Sequence, residues 1–132
     1  MAGERILVVD DNPTNMKLVS YILSARGYEV RTAADAQQAL AMVETFQPRL
    51  ILMDLQLPGM DGFEATRRLK GDPRTRDIVV VALTAYAMKG DEEKARAAGC
   101  DGYISKPIDT RGLPGRVAEY LERQGGGERA KG

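Results

Sequence analysis

Histidine is missing from all 132 residues, and cysteine occurs once. Without an imidazole the chain cannot build the Ser-His or Cys-His pairs of many nucleophilic enzymes, nor most zinc sites. A single thiol, Cys100, forms no internal disulfide or cysteine-based zinc centre, and its residue type favours the place of a small buried hydrophobe. A net charge of either sign is missing too. Nineteen basic residues balance 19 acidic ones, so no overall positive field gathers nucleic acid or an anionic membrane surface. No apolar run approaches the roughly 18 to 20 residues that cross a bilayer, and "MAGER" leads straight into strand-like sequence without the layout of a signal peptide. The expectation is a cytoplasmic protein that binds neither nucleic acid nor membrane and selects its partners by local surfaces.

What is present is an ordinary globular composition, 43 % hydrophobic and 29 % charged, at a length that suits one domain. "RILVVD" (Arg5 to Asp10), "LILMDL" (Leu50 to Leu55) and "IVVVALT" (Ile78 to Thr84) are nearly continuous in Val, Ile and Leu, the pattern of parallel strands covered on both faces. "YEVRTA" (Tyr28 to Ala33) alternates and "GYIS" (Gly102 to Ser105) is short, so both suit sheet edges. Helical patterns fill the intervals. Asn12 caps a helix that starts at Pro13, turns Met16, Val19, Ile22 and Leu23 inward and stops at Gly27. Asp35 with Gln38 resembles a capping box for a second helix with Ala36, Ala39, Leu40 and Val43 as its stripe and Pro48 as its block. Asp61 with Glu64 repeats the device for a third, with Phe63, Thr66 and Leu69 inward.

The fourth helix, within Met88 to Gly99, is interrupted by Gly90 and has little apolar area, so it should sit lightly on the sheet. The fifth carries Leu113, Val117, Tyr120 and Leu121, with Gly112, Pro114 and Gly115 crowding its start. One domain is expected over residues 1–124, followed by a disordered tail, 125–132, that has nothing to bury. The alternation implies an α/β fold, a doubly wound five-stranded parallel sheet with helices on both faces. In such sheets the active crevice lies beyond the C-terminal strand ends.

Asp10 and Asp11 follow the first strand, Asp54 the third, Thr84 the fourth, and Lys106, before Pro107, the fifth. Carboxylates crowded at one edge repel unless a cation neutralises them. An oxygen-only acidic site suits a hard cation, with Mg2+ the cytoplasmic default.

The ordered set "VVDDN", "LMDLQLPGMDG", "ALTA" and "YISKP" resembles the receiver domains of two-component response regulators, over roughly Arg5 to Arg123. The resemblance implies the flavodoxin-like strand order 2-1-3-4-5 with five helices, and a phosphoryl group accepted on Asp54 from a sensor histidine kinase or a histidine phosphotransfer protein. It makes Asp11 a direct Mg2+ ligand and Asp10 a ligand directly or through water, with Asp54 and the backbone carbonyl of Gln56 completing the set. Lys106 becomes the cation facing the phosphoryl oxygens, on a cis Lys106-Pro107 peptide. Thr84 and the Ala85 N–H become donors to the phosphoryl group, and Tyr103 the aromatic that turns inward as Thr84 moves. Gln56 and Tyr86 occupy positions that influence loss of the phosphoryl group to water. The face made by the fourth helix, fifth strand and fifth helix is then the output surface for a downstream protein.

Such a chain catalyses its own phosphorylation and dephosphorylation without being a turnover enzyme, as a monomer or weak dimer. The wording is most similar to single-domain regulators of cell-cycle type and to receivers of hybrid kinases. Rival readings fare worse. A phosphatase of the haloacid-dehalogenase type resembles its relatives in a D-x-D spacing that "VVDDNPT" lacks. A flavin or nucleotide module needs an anion-friendly loop after the first strand, where Asp10 and Asp11 stand. An unreactive interaction module is disfavoured because every reactive position is filled.

Overall fold

Parallel pairing with no hairpins requires every strand to be followed by a crossover, and the chain alternates accordingly. In order it forms β1 (Arg5–Val9), α1 (Pro13–Ser24), β2 (Glu29–Ala33), α2 (Ala36–Phe46), β3 (Leu50–Asp54), α3 (Gly62–Gly71), β4 (Val79–Thr84), α4 (Lys89–Ala98), β5 (Gly102–Ser105) and α5 (Leu113–Glu122). The structure is a computed structural model and describes residues 3–55, 57, 62–84, 89–105 and 108–122, apart from the side chains of Lys89 and Asp91. Within them the strands form one parallel sheet in the order β2-β1-β3-β4-β5. The strand order and the five helices match those expected. The expected tail, 125–132, lies outside the described residues.

The central strands are buried on both faces, which is why they read as unbroken aliphatic runs. Ile6, Val8, Leu50, Leu52, Val79, Val81 and Leu83 pack with Val19 and Leu23 of α1 and with Leu113, Val117, Tyr120 and Leu121 of α5. Leu7, Val9, Ile51, Met53 and Val80 face the opposite way, against Ala36, Ala39, Val43 and Phe46 of α2 and Ala65 and Leu69 of α3. Each fully buried Ile or Leu contributes about 1.5–3 kcal/mol. The third layer is thinner. Leu55, Ala82 and Ala95 form a small cluster with Phe63, Cys100 and Tyr103 packed against it. Among the described side chains of α4 only Ala95 and Ala98 are buried, which fits the light seating expected of that helix.

Local chemistry explains the helix ends. The Asn12 side chain accepts from Thr14 and Asn15 N–H, and Pro13 occupies the first helical position. At α2 the Asp35 carboxylate accepts from Gln38 N–H, but the Gln38 amide oxygen accepts from Ala34 N–H. The box is therefore closed one residue further out than its usual form. Pro48 disfavours right-handed helix at the residue before it. Gln47 accordingly ends α2 in the left-handed region at φ 52°, donates its N–H to Val43 O and accepts Arg5 Nε at 3.1 Å through its carbonyl.

Three packing details differ from the sequence reading. Phe63 is half-buried, and Ala65 takes the inward place beside Thr66 and Leu69. Phe46 joins the core at the end of α2, beyond the stripe read from the sequence, and Arg31 lies 5.0 Å over its ring. Cys100 is only partly buried, with its thiol 3.8 Å from the Thr66 hydroxyl. Loss of hydration pushes that thiol's pKa up, outweighing the Thr66 contact that lowers it.

Far from the strand ends that matter for chemistry, Lys70 ties α3 to the start of β4 and to the α4–β5 connection. Its ammonium donates to the carbonyls of Arg76 (3.0 Å) and Ile78 (2.7 Å) and to Asp101 Oδ2 (2.8 Å). The same Asp101 oxygen accepts the Val80 N–H at 2.9 Å. Gly99, at φ +107°, leaves room for the Lys70 stem, because a Cβ there would come within 2.8 Å of Lys70 Cγ.

Removing Asp101 strands a half-buried ammonium and a backbone donor. Asp101→Ala should therefore cost about 2 kcal/mol in urea unfolding. Arg74→Ala, which breaks a solvent-exposed pair with Asp72, should leave the midpoint unchanged. The raised thiol pKa predicts that Cys100 is alkylated by iodoacetamide more slowly than free cysteine at mildly alkaline pH.

Candidate functional site: an acidic crevice at the strand ends

The sheet reverses its order of build at β1, which has β2 on one side and β3 on the other. The C-terminal ends of β1 and β3 therefore open side by side, and the ladder runs from Ile6 opposite Leu50 to Val9 opposite Met53. The next residues on each strand are the carboxylates. Asp10 is 1 % exposed and Asp54 3 % exposed, whereas Asp11 points to solvent. One carboxylate oxygen from each of Asp10, Asp11 and Asp54 lies within 4.8 Å of the others.

Backbone contacts hold the two buried acids in place. Asp10 N–H donates to Ala33 O at 3.1 Å, and Asp10 Oδ1 accepts the Asn12 N–H at 2.9 Å. Asn12, read from the sequence only as a helix cap, thus also orients an acid through its main chain. The D-x-N spacing in "VVDDN" was the available signal, since an Asx side chain commonly accepts from the amide two residues on. Beyond Asp54, Leu55 N–H continues the ladder to Leu83 O at 3.0 Å.

Thr84 ends β4 opposite Ser105 and is 1 % exposed. Tyr103 sits half-buried on β5 against the Leu55, Ala82 and Ala95 cluster, and its carbonyl accepts Arg116 Nη2 at 3.1 Å. The structure thus brings Asp10, Asp11 and Asp54 into one group and, on the Asp54 side of the sheet, places Thr84 at the end of β4 and Tyr103 within β5, opposite Ala82. Gln56, Ala85, Tyr86, Lys106 and Pro107 lie outside the described residues. A groove of about 540 Å³ lies elsewhere, between α2 and α3 at the opposite sheet edge, lined by Leu40, Val43, Leu69 and Ile78. It contains none of these acids.

Three carboxylates this close cannot all be charged without either a compensating cation or strong mutual repulsion. Their donor atoms are exclusively oxygen, which fits a hard divalent cation that keeps part of its water shell, as Mg2+ does.

A family model for the response regulator receiver domain matches residues 6–118. The chain belongs to the response regulator receiver family. The receiver is 45 % identical over 116 residues to the polar-differentiation response regulator DivK of Brucella anthropi, an overlap of 88 % of this chain and 94 % of that protein. Its fold superposes on a CheY-like receiver domain protein from Methanospirillum hungatei with a TM-score of 0.86 and 33 % identity, covering 93 % and 97 % of the two chains. The receiver domain of a signal transduction histidine kinase from Syntrophus aciditrophicus gives a TM-score of 0.84 and 32 % identity over 91 % of each chain. Receivers of this family generally use Mg2+ at an acidic pocket and take phosphoryl groups from histidine kinases or phosphotransfer proteins. Among the described residues of this receiver, no helix is long and apolar enough to cross a membrane.

Repulsion within the acid group gives a direct test. Neutralising the exposed member, Asp11→Asn, should raise the stability of the metal-free receiver by about 1 kcal/mol. The same change should shrink the rise in melting temperature that MgCl2 produces in the wild type, since fewer anionic oxygens reward the ion. Thermal unfolding with EDTA and then with MgCl2 measures both.

Proposed function

We propose that this receiver accepts a phosphoryl group on Asp54 in a Mg2+-dependent reaction and uses it to alter the face formed by α4, β5 and α5. The reading rests on one observation above all: the three carboxylate oxygens of Asp10, Asp11 and Asp54 within 4.8 Å of one another, at the adjoining ends of β1 and β3. Asp10, Asp11, Asp54 and the Gln56 carbonyl would hold Mg2+, which when bound neutralises the acids and offsets repulsion of an incoming phosphoryl group.

In the transfer, one Asp54 carboxylate oxygen attacks phosphorus in line with the leaving group, forming an O–P bond and an acyl phosphate. The P–N bond of a donor phosphohistidine breaks, and its electron pair stays on the imidazole nitrogen. The phosphohistidine lies outside these 132 residues, which contain no histidine. With acetyl phosphate the broken bond is P–O and acetate leaves with the pair. Lys106 faces the phosphoryl oxygens as a point charge. The Thr84 hydroxyl and the Ala85 N–H donate to them once they arrive.

Drawing Thr84 toward the phosphoryl group vacates space that the Tyr103 ring fills, so a local charge event biases a two-state element. The thin packing beneath α4, where Ala95 and Ala98 are the buried residues among the described side chains, keeps the free-energy gap between its two positions small. The altered surface then binds a downstream protein in the cytoplasm, and Tyr86 slows hydrolysis by shielding Asp54.

Incubation with MgCl2 and acetyl phosphate should add one phosphoryl group to the wild type by intact mass and none to Asp54→Asn. Equal labelling of the two proteins would place the acceptor elsewhere, and EDTA should abolish the wild-type signal.

A further inference from the structure

Gly62, the first residue of α3, is packed directly on the backbone of the acceptor. A Cβ built at this position would collide with the Asp54 carbonyl oxygen and lie 2.9 Å from Leu55 Cα and 3.1 Å from the Asp54 carbonyl carbon. Every one of these atoms is main chain, so no side chain can rotate away to make room. Gly62 N–H donates to Leu55 O at 3.3 Å, which closes the base of the loop that leaves β3 after Asp54. The Gly62 carbonyl in turn accepts the hydroxyl of Thr66, a fully buried residue, at 2.8 Å. Thr66 is a polar group in an apolar layer, and its hydroxyl also meets the Cys100 thiol at 3.8 Å.

We propose that Gly62 is a positioning residue for the phosphoacceptor site: its missing side chain lets α3 seat on the Asp54 carbonyl, and Thr66 locks that seat. The consequence for chemistry follows from geometry. Any side chain at 62 must push the helix start and the end of β3 apart by on the order of 1 Å before ordinary contact distances return. That displacement falls on the residue whose carboxylate must meet both an ion and a phosphorus atom in line. Helix propensity runs the other way, since alanine is a better helix former than glycine. A loss on Gly62→Ala therefore reports the contact and not the helix.

This proposal rests on the reading of Asp54 as acceptor, and the wild type tests that reading first. It should release heat on titration with MgCl2 and take up a phosphoryl group from acetyl phosphate; if it does neither, both the reading and this proposal fall. If it binds Mg2+ but takes no phosphoryl group, Gly62 is judged on Mg2+ affinity alone. Gly62→Ala should label about 100-fold more slowly, the scale expected for a misplacement of about 1 Å at a reacting centre. Its affinity for Mg2+ should weaken by about tenfold as well.

Val117→Ala, a cavity in the core under α5 on the opposite face of the sheet, is the control for lost stability alone. It should melt lower yet label within about twofold of wild type. Labelling and Mg2+ binding of Gly62→Ala at the wild-type level would overturn the proposal, as would an equal loss in Val117→Ala. Should Gly62→Ala not fold, Thr66→Val decides. It keeps the side-chain shape, removes the hydroxyl that holds Gly62, and should slow labelling by about fivefold; an unchanged rate sinks the idea.

Discussion

Like charges held together at the rim of a buried sheet create a demand that the molecule cannot meet from the acids alone. Asp10 and Asp54 are almost fully removed from water, and Asp11 stands within 4.8 Å of both. A divalent ion would offset the repulsion among all three at once. The rest of the architecture serves to bring the acids this close and keep them there. Two aliphatic strands hydrogen-bonded in register deliver them to one level. Main-chain donors, the Asn12 N–H above all, fix the direction of an acid that would otherwise rotate away from its neighbours.

The helices α3 and α4, which follow β3 and β4, are fastened at different points. The start of α3 lies on the Asp54 backbone through Gly62. Its far end is tied by Lys70 to the connections around β4 and to Asp101. Held at both ends, α3 behaves as part of the frame. By contrast α4, among its described side chains, buries only two alanines, and its C-terminal end meets the frame near Gly99, beneath which the Lys70 stem passes. A helix with little apolar contact can be repositioned at small cost, whereas one packed through Ala65, Thr66 and Leu69 cannot.

Much of this was legible from the residues. Val-, Ile- and Leu-rich runs with a polar residue at their C-terminal ends reported both the central strands and the rim. Asn12 and Pro13 marked the start of α1. What the residues did not show was local competition for space and donors. Phe63 looked as apolar as its neighbours, yet Ala65 fills the inward place because α3 lies close to the sheet where only a small side chain fits. Gln38 was readable as a capping partner, but not that Ala34 rather than Asp35 would supply its donor. Cys100 was expected inside and is only partly so, because it stands at a connection under the thin third layer.

By itself the sequence determined the alternation of strand and helix, the two-sided burial of the middle strands and the kinds of atom offered at their ends, since each is written in residue type and spacing. Only the tertiary structure decided which of those ends adjoin. Parallel pairing of β1 with β3, elements far apart along the chain, is a choice among many that local propensity does not distinguish, and it alone sets Asp10 and Asp11 beside Asp54. The same holds for Gly62: a glycine can mark a turn, a helix end or an empty space, and only the approach of the Asp54 carbonyl made it the last of these.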